Sequence, residues 1–289
     1  METWSHQGAV ATAKATHEQI RNALNASDSV VHGRSFEVFL QGSYKNDTNI
    51  RGDSDVDVVV QLNETFRRDI SALPVDQQTL YKSEHQDATY SFDQFRGEVL
   101  RSLRNKFGTS SISTGNKSLK VSGGSGRLPA DVIVCLQYRK YRSYQSLTDQ
   151  RYVEGIAFNA QDGSYIINFP AQHYDNGVTK NSNTHDCYKP SVRMFKNARE
   201  YLVSHQRITS SLAPSYFLEC LIYNAPDERF ADSFQQTYSE VVNWLVNADL
   251  ASMICQNGQL ELFGNSSEQW QIDSAHRFVK ALIDLWNGW

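Results

Sequence analysis

Three aspartates and one glycine-serine pair carry the chemistry that can be read from this chain. Asp55 and Asp57 lie in SDVDVVVQL, a run of strand-forming residues. Successive side chains of a strand face opposite sides, so both carboxylates leave one face while Val56 and Val58 turn to the core. Such a pair suits Mg²⁺, with Mn²⁺ as a substitute, because a hard cation takes carboxylate and phosphate oxygens together. Two such ions can clamp the attacking and leaving oxygens of an in-line displacement at phosphorus. Asp131, at the mouth of the apolar strand LPADVIVCLQY, is the candidate third ligand. It would help bind the metal beside an acceptor hydroxyl and favour loss of that proton, so that a ribose oxygen attacks the α-phosphorus and pyrophosphate leaves. Asp53 shares the parity of Asp55 but follows Gly52 in a turn, where an acid more often serves as a solvated cap.

Gly42 and Ser43 stand just before this acidic strand. Gly42 has no Cβ, so a triphosphate can approach the backbone closely. The Ser43 hydroxyl and neighbouring amide N–H groups are left to donate to its oxygens. A lone Gly-Ser or a lone Asp-x-Asp would be only a turn or an exposed strand end. Here strand, Gly-Ser, Asp-Val-Asp, apolar strand and a downstream strand aspartate follow in order.

The elements that must hold these groups can be read outward from them. Ser35 to Leu40 (SFEVFL) alternates as a strand and Gly42 ends it, while Tyr44 to Ser54 reads as a loop into the strand of Asp55. SISTGNKSLKVSGGSGRLPAD reads as strand, turn and strand, with SGGSG as a hairpin loop that delivers Asp131. METWSHQGAVATAKATHEQIRNALNAS reads as one soluble helix forming a spine behind the sheet. Asp93 to Phe107 is a basic helix with Val99, Leu103 and Phe107 on its apolar stripe; Arg96, Arg101, Arg104 and Lys106 read as a solvated face. YRKYRSYQ interleaves bases and rings in a pattern that could stack nucleobases, but is better read as the exposed exit of a strand.

Composition narrows the partners. The chain has 289 residues, 40% hydrophobic and 21% charged, enough for one two-lobed unit or two intimately packed domains. A net charge of −4 and a pI near 6.1 argue against a long duplex nucleic-acid groove and favour mononucleotides. Cys135, Cys187, Cys220 and Cys255 are scattered, as reduced thiols would be, and there is no membrane span or signal peptide, so a cytoplasmic protein is expected. His173, His185 and Cys187 fall short of the four ligands a structural zinc site asks for.

The later chain reads as mostly helical. In KPSVRMFKNAREYLVSH, Pro190 suits a first helical position, and Val192, Phe195, Ala198 and Leu202 form a buried stripe with Lys196 beside it. Lys196 could reach a triphosphate or remain a surface lysine. In APSYFLECLIYN, Pro214 suits a helix start. Ser215 in the first turn could meet phosphate or simply cap, and Tyr216 could offer its ring to a base or only pack. YIINFPAQHYDNGVTKNSNTHDC reads as strand and lid, rich in amides that could read base edges, though Asn176, Asn181 and Asn183 also fit turns. Two amphipathic helices follow, with Trp244, Trp270, Trp286 and Trp289 as packing residues.

GSYKNDTNIRGDSDVDVVV resembles the signature of polymerase-β-like nucleotidyltransferases, and more narrowly the bacterial CD-NTases related to cyclic GMP-AMP synthase and oligoadenylate synthase. LPADVIVC, NFPAQHYDNGVTKN, VRMFKNARE and APSYFLECLIYNAP extend the resemblance over most of the chain from Ser35 to Pro226. It implies an α+β fold: a nucleotidyltransferase core over residues 1–185 with a mixed sheet and a spine helix, a helical lobe over 186–289, and an active site in the cleft between them. It implies two Mg²⁺ ions on Asp55, Asp57 and Asp131, and nucleoside triphosphates, ATP among them, as substrates. The products would be cyclic di- or trinucleotides acting as second messengers in antiphage defence through a downstream effector, with a regulatory partner or activator possible. It selects Lys196, at KNARE, over Arg193 and Arg199 for the phosphates, assigns Ser215 and Tyr216 to phosphate and base, and points to Asn168 for selecting uracil. A linear oligonucleotide or tailing transferase shares the same chemistry. A nucleotide-binding sensor without turnover fits the intact aspartates less well.

Overall fold

The computed structural model describes residues 1–6, 10–50, 55–266 and 268–288. Asp53 and Trp289 lie outside them. Among the described residues the fold is α+β, with one mixed sheet and a helical C-terminal region.

The first helix, α1 (Ala11–Asn25), is shorter than the sequence suggests, since Glu2–Ser5 forms a separate 3₁₀ turn. Ala13, Thr16, Ile20, Ala23 and Leu24 recur at helical spacing and are buried, so α1 packs against the sheet as expected of a spine. Thr16 Oγ1 accepts the Leu128 N–H at 2.9 Å, and His17 Nε2 lies 3.1 Å from the Val38 carbonyl oxygen. The helix thereby fixes the chain leading to Asp131.

β1 (Phe36–Leu40) is followed by a single short turn of helix, α2 (Gly42–Asn46), and then β2 (Val56–Asp69). α3 (Val75–Glu84) and α4 (Phe92–Phe107) come next, α4 opened by a capping box between Ser91 and Gln94. β3 (Ile112–Thr114), β4 (Leu119–Val121), β5 (Ala130–Ser146), β6 (Asp149–Asn159) and β7 (Tyr165–Asn168) complete the strands. The sheet order is β1-β2-β5-β4-β3, with β6 on β5 and β7 on β6. β2 and β5 run parallel; the other pairings are antiparallel. Central strands are covered on both faces, and Val58 to Leu62 are accordingly buried without alternation.

YRKYRSYQ is not an exposed exit. β5 continues through it to Ser146, and Tyr138, Tyr141 and Tyr144 are all buried. Tyr138 packs edge-on to Phe169, while Tyr141 and Tyr144 both pack on Tyr81. A register shift against β6 between Tyr141 and Ser143 resets the strand's parity, so two tyrosines three apart reach one side.

After β7 the chain is helical: α5 (Pro170–Asn183), α6 (Tyr188–Ser204), α7 (Ser215–Tyr223), α8 (Phe234–Asn247) and α9 (Ile272–Asn287). The expected lid is therefore helix α5, with His173 and Gly177 turned inward and Asn176, Asn181 and Asn183 helical rather than in turns. α6 to α9 share one apolar core. Trp270 is buried there and donates its Nε1–H to the Leu212 carbonyl at 3.0 Å; Trp286 stacks on Tyr238.

Two compact units divide the chain: Val10–Gln41 with Ser54–Pro170, and Met1–Ala9, Gly42–Asp53 and Ala171–Trp289. The first holds the sheet and α1, α3 and α4. The second holds α2 and the helices from α5 onward.

Candidate active site

Asp57 and Asp131 are each the second residue of their strand, and the parallel β2–β5 ladder pairs them in register. Residues paired across a parallel ladder share a face, so both carboxylates leave the same side of the sheet. Asp55 precedes β2 by one residue and is exposed. On its other flank β5 pairs with β4, placing Lys120 opposite Asp131. The Asp131 carboxylate accepts the Ser118 hydroxyl at 2.9 Å and lies 4.0 Å from Lys120 Nζ. That ion pair is half in water and contributes little to stability. A cavity of about 300 Å³ opens here, lined by Asp55, Asp131, Lys120, Ser113, Ser122 and Gly123.

The donor set matches a hard cation, being carboxylate throughout. Among the described residues no three His, Cys, Asp or Glu side chains close a cage of their own. Mg²⁺ does not require one, since it is commonly held by one or two carboxylates with substrate phosphates and water filling the rest.

Gly42 has φ 66°, a left-handed backbone that favours glycine, and this turns the chain out of β1. The residue before it, Gln41, donates its N–H to the Asp57 carbonyl at 3.1 Å. The Gly-Ser turn opens α2 rather than a loop, so Tyr44 to Asn46 are helical with Tyr44 and Asn46 buried. Ser43 is half-buried, and its carbonyl accepts the Thr48 N–H at 3.0 Å.

Helix α6 starts at Tyr188, so Pro190 sits inside the first turn, where N–H groups have no intrahelical acceptor and proline is tolerated. Lys196 is not beside the buried stripe but within it, at 2% exposure. Its Nζ donates to the Thr48 carbonyl at 3.1 Å and faces the Glu219 carboxylate at 3.4 Å. Glu219 also accepts the Thr48 hydroxyl at 2.9 Å and lies 3.2 Å from His173 Nε2. Burial pushes the Glu219 carboxyl up, but Lys196, His173 and Thr48 together outweigh it and hold the pKa down at about 2. His173 is spent on this network, which removes it from any grouping with His185 and Cys187.

Ser215 is the first residue of α7, directly after Pro214, and makes no side-chain cap. Tyr216 stacks on His173 with centroids 5.5 Å apart and 24° between planes, and its hydroxyl accepts from Asn257 Nδ2 at 3.2 Å. Burial raises its phenol pKa far above the ordinary value. Asn168 ends β7 and accepts the Phe169 N–H on its own side-chain oxygen at 2.8 Å. A Cβ on Gly155 would meet the Asn168 carbonyl at 2.6 Å, so that glycine lets β6 approach Asn168.

Glu219 and Thr48 are not among the residues that the sequence motifs single out, and His173 enters there only as a candidate zinc ligand. The available signal was Glu219 itself, the only charged residue in the apolar run SYFLECLIY, together with a lysine inside the α6 stripe. A charge in an apolar helix requires a partner.

The chain is similar to known proteins along its whole length. Residues 18–117 match a nucleotidyltransferase domain, and residues 175–287 match the cGAS/DncV-like nucleotidyltransferase C-terminal helical domain. The cyclic UMP-AMP synthase of Rhodothermus marinus is 49% identical, covering 100% of this chain and 97% of its own. A cyclic nucleotide synthase of Staphylococcus haemolyticus is 40% identical, covering 100% and 98%. The solved structure of a Rhodothermus marinus cyclic UMP-AMP synthase with Apcpp and Upnpp superposes with a TM-score of 0.90 at 48% identity, covering 100% of this chain and 95% of that one. The chain belongs to the CD-NTase family of cyclic nucleotide synthases. It is a nucleotidyltransferase, and no described helix is long and apolar enough to cross a membrane.

Proposed function

We propose that the protein joins nucleoside triphosphates, ATP and UTP foremost, into a cyclic dinucleotide with release of pyrophosphate. The in-register pair Asp57 and Asp131 carries this reading, with Asp55 beside the same cavity as Asp131. These three carboxylates would hold Mg²⁺, or Mn²⁺, which when bound neutralises triphosphate charge and lowers the pKa of the attacking hydroxyl. In each transfer a ribose hydroxyl loses its proton, its oxygen bonds to the α-phosphorus of a triphosphate, and the bond to pyrophosphate breaks. A second transfer, in the reverse sense along the linear intermediate, closes the ring.

Gly42, Ser43 and Ser215 would meet the phosphate tail and Tyr216 a base. Lys196, paired with Glu219 and 2% exposed, would act on the phosphates through Thr48 and not by reaching them itself. Asn168 is our candidate for uracil recognition, supported by the relative named a cyclic UMP-AMP synthase. The product would act as a second messenger on a separate effector, in antiphage signalling within the cytoplasm.

The test incubates the protein with labelled ATP, UTP, GTP and CTP singly and in pairs, with Mg²⁺ or Mn²⁺, then treats the products with phosphatase. A phosphatase-resistant product containing adenine and uracil is expected. Products that lose terminal phosphates would instead indicate a linear synthase, and no product under any condition a binding protein.

A further inference from the structure

Glu219 sits 4% exposed in the middle of an apolar helix, yet its carboxylate collects donors from three separate parts of the chain. Oε2 takes the Thr48 hydroxyl at 2.9 Å and faces Lys196 Nζ at 3.4 Å; Oε1 faces His173 Nε2 at 3.2 Å. Lys196 also donates to the Thr48 carbonyl. Thr48 in turn donates its N–H to the Ser43 carbonyl at 3.0 Å, so the backbone of Ser43 is tied to the ion pair through one residue. On the opposite side, the His173 ring lies stacked on Tyr216.

A buried ion pair seldom stabilises a core more than apolar side chains of the same volume would. What it adds is direction, because each bond fixes a donor at one place. We infer that Glu219, paired with Lys196, is a positioning residue that sets Ser43 through Thr48 and Tyr216 through His173, holding a phosphate contact and a base platform at a fixed separation. The inference rests on the proposed roles of Ser43 and Tyr216. It goes beyond them in assigning Glu219, Thr48 and His173 to substrate placement without contact. Loss of the Thr48 hydroxyl leaves the Glu219 and Lys196 charges facing each other and the Thr48 carbonyl on Lys196, but removes the bond to Glu219 and so loosens the segment carrying Ser43. Substrate is then bound less well in ground and transition state alike, which raises KM and spares kcat.

Thr48→Val and Thr48→Ser separate this from ordinary packing. Valine keeps the shape and removes the hydroxyl; serine keeps the hydroxyl and removes a methyl. Thr48→Val is expected to raise the Kd of a non-hydrolysable ATP analogue and the KM for ATP about tenfold, the size of one charge-assisted hydrogen bond, with kcat within about threefold. Thr48→Ser should stay close to wild type. If Thr48→Val matches wild type in Kd and KM, or if the serine variant is impaired as much as valine, the inference fails. Should Thr48→Val melt far below wild type, His173→Asn supplies a second arm. It removes the ring stacked on Tyr216, and unchanged analogue binding would again overturn the idea. Wild type that binds the analogue without making product, with Thr48→Val binding less well, would retain the inference and sink the synthase reading. Product formation with an unaltered KM in Thr48→Val would do the reverse, and a wild type that neither binds nor reacts removes both.

Discussion

Asp57 and Asp131 face each other across a parallel ladder although they come from strands far apart in sequence, one on β2 and one on β5. Their apposition depends on one register: a slip by a single residue would turn either carboxylate to the opposite face. Asp57→Asn and Asp131→Asn should each lower product formation by about 10³-fold, since metal-held charge stabilisation amounts to several kcal/mol. Both positions are only partly buried, so the melting temperature should hardly move. Product assay together with thermal melting checks this; retained synthesis in either folded variant would remove that residue from the site.

Lys196→Met leaves the Glu219 carboxylate buried without its cation and should cost about 3–5 kcal/mol of stability. The double variant Lys196→Met with Glu219→Gln, which removes both charges, should recover much of that loss. Chemical denaturation of the three proteins provides the measurement. Equal losses in the single and double variants would show that the two charges do not act as a pair.

Acid should weaken the fold through the same carboxylate. The Glu219 pKa is about 2 in the folded protein against an ordinary 4.5, so the unfolded chain binds more protons. Stability from this group is therefore complete above about pH 4.5 and fades as pH falls towards 2. Denaturation midpoints across that window should drop for wild type and drop less for Glu219→Gln. Parallel curves would contradict the assignment.

Gly155→Ala should push β6 away from Asn168 and Phe169, because the added Cβ would lie 2.6 Å from one carbonyl and 2.9 Å from the other's ring. Overpacking of this kind costs about 1–3 kcal/mol. If Asn168 reads a base, the ratio of uracil to other pyrimidine and purine products should shift in the same variant. A stable variant of unchanged product ratio would separate Asn168 from base choice.

How far the sequence was legible follows the range of the interactions. Alternation predicts Asp55 and Asp57 on one side, because period two is local, but β2 begins at Val56, so the ladder holds Asp57 alone of the two. The pairing of Asp57 with Asp131 is set by strand register, which no local pattern carries. Tyr138, Tyr141 and Tyr144 recur every three residues, a spacing that does not look like a strand until the register shift between Tyr141 and Ser143 is known. α5 was obscured by its Asp, Asn and Gly residues, weak helix formers outweighed here by tertiary contacts. Gly177 is one such residue, and a Cβ there would lie 2.4 Å from Gln256 Nε2, displacing a side chain that bonds to the His173 carbonyl. Lys196, expected beside the apolar stripe, lies within it, because its burial depends on Glu219 from another helix, which no local pattern carries.

The interleaving of the two units has a consequence for synthesis on the ribosome. Residues 42–50 emerge early, between stretches of the sheet-bearing unit, but belong with helices made much later. The Thr48 hydroxyl bonds to Glu219 across 171 positions of chain. Until α7 leaves the exit tunnel that segment has no lasting place to rest, so the turn bearing Ser43 should be among the last parts of the molecule to settle. A nascent chain stalled before Glu219 could possess every one of the aspartates and still lack an ordered hold on Ser43.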